Sequence, residues 1–413
     1  LLIAANNLLK ILRDSVFLGH HPVSELPYLY ILVAFFAGAI ITAYTRHTAN
    51  ISIIRLILAT NGVIFLNIVF FWVLLTYFDS SWSHYAFYIW SAMATVIAVV
   101  QAWTLANHIF TPEEGKRSFG IIAAGGTVGG VAASFGVKWS IHLSVESNHL
   151  LWVIAGVYIV ASLIVIWAEG RLKAKISDLE TCNTEKSETV YNRRIGELLS
   201  NSAYLKTIAV IILVSVIVST LIDFHFKTDA KQAYPSTSEL AGFFSSYYGW
   251  LNVTAFFVQV LLTGGTLRKL GLAPSLYLTP GALLTGSVAI IIWPGLLTAM
   301  LTRMADAILR NSIHRSGMEI IYMAVPASVV KAVKTFLDVV VERVGDASAG
   351  FIILLFSLFS TERYIAYVHF ICVGLIFGWF ALNRFLRAGY SEALLKGVVL
   401  HEALPSRSWL ESD

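Results

Sequence analysis

Apolar runs, each about as long as one membrane crossing, succeed one another along the chain with short polar breaks between them. They fall at about 1–19, 26–45, 51–78, 83–110, 118–144, 149–168, 202–226, 238–264, 270–292, 295–323, 327–360 and 363–386. A hydrocarbon core about 30 Å thick takes roughly 20 apolar residues per helical crossing. Stretches such as 154–167 run on without the alternation that a barrel strand needs, which leaves helices as the spanning elements. The pattern predicts an all-α polytopic membrane protein with about 12 transmembrane helices.

One break is unlike the others. Residues 169–200 carry twelve Asp, Glu, Lys or Arg in 32 positions, in a chain that is 13% charged as a whole. Six apolar runs lie on either side of it. The expected organisation is a six-helix bundle over 1–168, a water-exposed connector over 169–200, a second six-helix bundle over 201–390 and a polar tail over 391–413. The two halves also share punctuation. The first run holds Asp14 and the next helix opens with Pro22, Ser24, Glu25 and Leu26. The seventh run holds Asp223 and the eighth helix opens with Pro235, Ser236, Ser238, Glu239 and Leu240. Pro112 with Arg117, Ser118 and Phe119 opens the fifth run, and Pro326 with Lys334, Thr335 and Phe336 opens the eleventh. Pro and Ser-Glu are ordinary helix-start chemistry. Two matches at the same offset of six helices nevertheless point to a parallel duplication. Halves related by an axis along the membrane normal give a 6+6 major-facilitator-like, pseudo-twofold architecture.

Composition agrees with lipid as the main solvent. The chain is 57% hydrophobic with a mean hydropathy of +0.73, against about 45–50% apolar for soluble domains. The net charge of +4 says less than its distribution. With twelve crossings, twenty Lys and Arg fall on the connector side and three (Lys227, Lys231 and Arg363) on the other. Positive residues stay on the cytoplasmic face, so the connector and both termini are expected in the cytoplasm, with a bacterial inner membrane as the setting. Cys182 in the connector and Cys372 in an apolar run are not placed to form a disulfide. The chain opens inside an apolar run without an initiating Met, so further N-terminal residues are expected, and the tail leaves room for a fused or associated soluble domain.

An ionisable side chain inside a spanning helix costs about 2.5–3.5 kcal/mol or more at the bilayer centre, which makes it a functional candidate. Lys10 and Asp14 are one turn apart on the first helix, with Arg13 beside them. Asp223 and Lys227 have the same spacing on the seventh. Arg303, Asp306 and Arg310 share one face of the tenth helix, and Lys331, Lys334 and Asp338 one face of the eleventh, followed by Glu342, Arg343 and Asp346. Arginine forks and lysine point charges suit phosphate oxygens. Asp223 at membrane depth is also a candidate proton carrier. Bland readings stand beside these: self-neutralised ion pairs, and, for Arg310 and Lys331, positive residues at helix ends. The run Gly125 to Gly130 lacks a phosphate-loop pattern; small residues at Gly126, Gly130 and Ser134 suit close helix packing. The eleven histidines show no metal-ligand spacing, and neither a metal nor a cofactor is expected. Trp82, Tyr85, Trp139 and Trp152 are expected as interfacial anchors.

The order of these motifs resembles the ATP/ADP translocases of plastids and intracellular bacteria, a family distantly related to major facilitators. Ile11 to Asp14, then Trp103, Ala106 and Asn107, then Thr111, Glu114, Lys116 and Arg117 carry the resemblance in the first half. Asp223, Lys227, Lys231, Tyr234, Pro235 and Ser236 carry it in the second half. So do Arg310, Ser312, Glu319, Tyr322, Pro326, Lys331, Lys334 and Asp338. The resemblance implies nucleotide exchange across a membrane, not catalysis. It also implies a substrate-linked Lys where this chain has Val16, an acid where it has Ser91, and a Lys where it has Asp346; the acid of the seventh helix is kept as Asp223. These departures make the local balance more negative and favour a solute less charged than ATP.

The reading that follows is an alternating-access transporter, not an enzyme, for an anionic nucleotide-like or phosphorylated solute. Its expected substrate-binding residues are Lys10, Arg13, Asp14, Asp223, Lys227, Arg303, Arg310, Lys331, Lys334 and Asp338. Its expected surroundings are membrane lipid, with no nucleic-acid partner. The alternatives are a proton-coupled facilitator of a non-nucleotide solute, and a membrane sensor or lipid-handling domain that anchors a soluble module.

Overall fold

Polar breaks in the apolar pattern become the helix ends. The computed structural model of the chain describes residues 1–48, 52–109, 112–142, 147–180, 202–322, 334, 336–359 and 364–403. Among these it has twelve helices and no strand. The N-terminal half comprises α1 (Leu2–His20), α2 (Leu26–Thr48), α3 (Ile53–Val73, extended by a π-helical turn Leu74–Phe78), α4 (Ser81–Ile109), α5 (Pro112–His142) and α6 (Leu150–Glu180). In the second half α7 is Ala203–Ala233 and α8 is Thr237–Phe257, which continues through a π-helical Val258–Thr263 into Gly264–Leu270. Then come α9 (Leu272–Ile292) and α10 (Leu296–Leu309, π-helical over Arg310–His314, then Arg315–Tyr322). The last two are α11, whose described part is π-helical over Leu337–Val341 and α-helical over Glu342–Phe359, and α12 (Tyr364–Ala403).

The repeated Pro and Ser-Glu punctuation does its capping work in two ways. Pro22 leads a 3-10 turn, Val23–Glu25, into α2. At α8, Ser236 accepts from the Glu239 amide while the Glu239 carboxylate accepts from the Ser236 amide, a capping box. Helix α9 begins at Gly271, whose φ of +80° lies in the left-handed region open to glycine.

Helix packing repeats at an offset of six. Helix α1 packs on α4, α5 and α6 as α7 packs on α10, α11 and α12, while α3 pairs with α6 as α9 pairs with α12. Two seams join the halves, α1 and α5 against α8 and α2 against α11. Both need small residues. A Cβ at Gly249 would stand 3.0 Å from the Phe135 ring, and one at Gly350 would stand 2.8 Å from the Pro27 carbonyl oxygen. The glycine run in α5 serves the same purpose. A Cβ at Gly130 would meet Asn7 of α1 at 2.3 Å and Asn252 of α8 at 3.1 Å, which fits the packing reading rather than a phosphate loop.

One buried apolar cluster runs through both halves, while the outer faces carry exposed Phe35, Leu66, Phe70, Leu163, Leu261, Phe351 and Phe377. An apolar exterior around a core that contains charges is the arrangement lipid requires, and the chain is an integral, multi-pass membrane protein. Seven helices among the described residues are long and apolar enough by themselves to cross a bilayer. The other five are α1, α5, α8, α10 and α11. They form the seams or carry the central charges, which lowers their apolar content.

Boundaries differ most at α6 and α12. Both continue past the apolar segment, α6 to Glu180 within the polar connector and α12 to Ala403 within the tail. Hydropathy marks where lipid ends, and a helix with a solvated polar continuation need not stop there. Residues 181–200 of the connector, Cys182 with them, lie outside the described residues. Trp82 and Trp139 are strongly exposed at helix ends, as interfacial anchors are. Tyr85 differs, since it packs on Phe17 and His21 and donates to Glu25.

Candidate functional site: a cationic cavity between the halves

The cavity of about 500 Å³ at the centre of the molecule is lined from α1, α2, α4, α7, α10 and α11, so both halves build it. Seven cations line it (Lys10, Arg13, Lys227, Arg303, Arg310, Arg315 and Arg343) against three acids, Asp223, Glu342 and Asp346. Two further acids, Asp14 and Asp306, are buried behind the wall at 1% and 0% exposure. Counting them still leaves an excess of positive charge.

A chain of ion pairs runs through the wall. Arg13 donates to Asp14 through Nε and Nη2, both at 2.9 Å from Oδ1. The same oxygen lies 3.4 Å from Lys227 Nζ, and Lys227 in turn sits 2.9 Å from Asp223 Oδ2. Asp223 Oδ1 accepts from Arg303 Nε at 2.8 Å, and Arg303 Nη1 donates to Asp306 at 2.5 Å and to the Ser219 hydroxyl at 3.3 Å. Asp306 also accepts from Ser219 at 2.5 Å and from Arg310 at 3.4 Å. Arg310 lies on the π-helical turn of α10, where the widened turn carries its guanidinium to the Ser215 carbonyl at 2.5 Å. These partners match charges that would otherwise be stranded at low dielectric, although Asp14 Oδ2 and Arg310 Nε are buried without a hydrogen-bond partner.

Aromatic faces complete the cation sites. Lys10 Nζ stands 4.6 Å above the Tyr248 ring, Arg13 4.6 Å above Tyr88, and Lys227 5.7 Å from Tyr30. Lys10 thus reaches across the seam to α8 instead of pairing with Asp14 one turn away. Tyr30 donates to Asp223 at 3.4 Å, also across the halves.

Of the residues expected from sequence, Lys10, Arg13, Asp223, Lys227, Arg303 and Arg310 line the cavity, and Asp14 supports them from behind. Lys334 and Asp338 do not line it. Lys334 pairs with Glu319 of α10 at 2.6 Å, a partner on another helix that its own helical spacing does not reveal. Lys331 lies outside the described residues. The lining adds Tyr30, Tyr88, Thr95, Ser219, Thr220 and Arg315, ordinary residue types that only the packing singles out.

The three departures also acquire places. Val16 is buried in the apolar cluster, and the Ser91 hydroxyl donates to the Tyr88 carbonyl. Asp346 is held by Arg343 at 2.8 Å and accepts from Thr220 at 2.8 Å. Its charge is therefore matched within its own helix. The cavity is cationic in spite of the substitutions that were expected to make it more negative.

Helices α1 and α7 both run away from the connector, and the halves touch toward that far end. Lys231 donates to the Gly19 carbonyl at 3.3 Å, and a Cβ at Gly19 would overlap Thr237. The Lys227–Asp14 bridge lies on the same side of the cavity. Arg310, Arg315 and Arg343 lie on its connector side.

Comparison with known proteins places this geometry in context. Residues 24–308 match the family described as TLC ATP/ADP transporter. ADP,ATP carrier protein 1 of Chlamydia pneumoniae is 24% identical over 226 residues, covering 50% of this chain and 44% of the relative. The chloroplastic ADP,ATP carrier protein 1 of Arabidopsis thaliana is 21% identical over 345 residues, 75% of this chain and 55% of the relative. The chain spans about half the length of the curated relatives it matches. Among solved structures, nucleoside transporter NupG superposes with a TM-score of 0.58 at 13% identity, covering 94% of this chain and 99% of that one. Peptide transporter POT in complex with sulfate gives 0.61 at 12% identity, covering 93% and 94%. At those identities the likeness concerns the fold, which is the 6+6 major-facilitator-like architecture read from the sequence.

Proposed function

Since the chain belongs to the TLC ATP/ADP transporter family, we propose that it carries an anionic, nucleotide-like or phosphorylated solute across a membrane by alternating access, with the cationic cavity between its halves as the binding site. The observation that carries this reading is the lining of seven cations against three acids at the junction of two six-helix bundles. Arg303 and Arg310 offer forked donors for phosphate oxygens, and Lys10 adds a point charge on the facing wall. Relatives named as ADP,ATP carriers support the nucleotide class. Asp223 and Asp306 both pair with Arg303, and an incoming phosphate competes with them for it. That exchange of partners couples binding to the ion pairs that join the halves.

The contacts of Gly19 with Lys231 and Thr237 hold the halves together at the end away from the connector. With the connector and both termini in the cytoplasm, that end faces outward. The orientation rests on the twenty-to-three division of Lys and Arg. An impermeant thiol reagent should label Cys182 in inside-out vesicles and leave it unlabelled in intact cells. Labelling from outside intact cells overturns the orientation.

Ligand-induced thermal stabilisation tests the substrate class. A ligand at 100 times its Kd raises stability by about 2.7 kcal/mol. Nucleoside mono-, di- and triphosphates and smaller phosphometabolites are screened against the purified chain, with uncharged nucleosides and neutral sugars as controls. A rise in Tm confined to phosphorylated members is expected. A rise with the neutral solutes, or none with any phosphate, overturns the reading.

A further inference from the structure

The histidines have no ligand spacing along the chain, yet the fold gathers three metal-ligating groups at the far end of the N-terminal half. His20, the last residue of α1, meets Asp79 and His84, which flank the start of α4; one ligand atom from each lies within 4.8 Å of the others. His84 is buried, while His20 and Asp79 are open to water. The cluster belongs to the aqueous end of the bundle, separate from the central cavity.

Hydrogen bonds around the cluster fix where its protons sit. His20 Nδ1 lies 2.9 Å from the Val16 carbonyl oxygen, which can only accept. Nδ1 therefore carries the proton, and in the neutral ring the lone pair is on Nε2, 3.9 Å from Asp79 Oδ1. A second chain begins at Glu25, whose carboxylate takes the Tyr85 hydroxyl and stands 2.9 Å from His21 Nδ1. That proton is on Nδ1, so neutral His21 offers Nε2 as an acceptor. His84 Nδ1, 3.2 Å away, fills it with its own N–H. The lone pair of neutral His84 is then on Nε2, which faces Asp79 Oδ1 at 2.9 Å. Two electron-rich atoms are held in contact, and a third points at them. Between neutral imidazoles and the carboxylate, one added positive charge reconciles these atoms.

An added proton on the His21–His84 pair would fill one of these contacts and leave His20 Nε2 unused. A divalent cation uses all three. Both Nε2 atoms face the same Asp79 oxygen; the rings stack at 4.2 Å with 20° between their planes, so the exposed His20 ring must tilt for both lone pairs to meet one ion. Asp79 has φ +22°, the sole positive value among the described non-glycine residues, and this strained backbone holds its carboxylate against both rings. Two imidazoles and one carboxylate suit a borderline first-row ion, with water in the fourth position. Ligand distances of 2.0–2.2 Å place tetrahedral donor atoms about 3.3 Å apart, and the spacings of 2.9 and 3.9 Å bracket that value. The Val16 carbonyl and His21 are the orienting partners that ligating histidines need.

We infer that His20, Asp79 and His84 form a binding site for a divalent transition-metal ion of the Zn2+ class at the end of the molecule away from the connector. A bound ion ties the end of α1 to α4 one residue beyond Gly19, whose carbonyl holds Lys231 of the other half.

The test uses the full chain, tag-free and stripped with a chelator, titrated with Zn2+ by calorimetry and with Co2+ by visible absorption. One saturable site per chain is expected, with the Co2+ bands of a four- or five-coordinate ion. His20→Gln and Asp79→Asn, both at exposed positions, should each weaken Zn2+ binding about tenfold or more, while His149→Gln, at an exposed histidine outside the cluster, leaves it unchanged. His84→Gln is not relied on, because a buried substitution can disturb folding. Absence of saturable Zn2+ uptake, the result if the cluster holds only a proton, overturns the inference. So does wild-type affinity in both exposed variants.

Discussion

Lys227→Met is expected to lower the stability of the purified protein by about 3 kcal/mol, the lower end of the cost of breaking a buried ion pair from one side. Lys227 is 2% exposed, and its ammonium group lies between Asp14 of α1 and Asp223 of α7. Methionine keeps the volume and the stem packing while removing the charge. Asp14 keeps Arg13, and Asp223 keeps Arg303, so neither acid is wholly stranded. What disappears is the ion pair that ties the two halves. In the double variant with Asp14→Asn the second change should cost much less than it does alone, a coupling of the kind that double-mutant cycles measure. Thermal unfolding of the four proteins in one detergent reads this directly. Additive losses would show that Lys227 stabilises only its own helix through Asp223.

The chemistry of this bridge also explains which parts of the site were legible beforehand. Local pairs were. Asp223 with Lys227, and Asp306 with Arg303 and Arg310, follow from helical spacing, and the structure has all of them. Partners contributed by another helix were not. One turn separates Asp14 from Lys10, but Lys10 lies over Tyr248 and Asp14 reaches Lys227, 213 positions along the chain. Lys334 shows the converse: it shares a helical face with Asp338, and its cation is spent on Glu319 of the neighbouring helix. Periodicity places a charge on a face, and only packing decides what that face meets. The twelve helices themselves were readable because lipid imposes one length on each crossing. Where lipid no longer acts, in the extensions of α6 and α12, the apolar pattern stopped short of the helix. The His20, Asp79 and His84 cluster spans 64 positions and three segments, so no spacing rule reaches it.

Arg303→Ala is expected to weaken binding of a phosphorylated solute by some thirtyfold or more. Removing one partner of a desolvated charge pair costs about 2–5 kcal/mol, and each 1.4 kcal/mol is a decade in affinity. Arg303 is the cation most committed to the wall, since it holds Asp223, Asp306 and Ser219 together. Its loss therefore subtracts a phosphate donor and also frees the two acids to repel the incoming anion. Both effects act against binding, whereas folding keeps the compensating pairs of Asp223 with Lys227 and Asp306 with Arg310. Affinity should fall by more than stability does. Arg303→Lys separates the two effects: a lysine preserves the charge but has no fork, so it restores the balance of the wall and only part of the binding. Ligand titration with the best phosphorylated binder from the stabilisation screen, set beside the Tm of each variant, makes the comparison. Unchanged affinity in a folded Arg303→Ala protein would mean that Arg303 serves only as the counter-ion of Asp306, and that the anion is held by Lys10 and Arg13 on the facing wall. If both variants lose stability and binding in equal measure, the arginine is structural and the cavity's affinity for phosphate rests elsewhere.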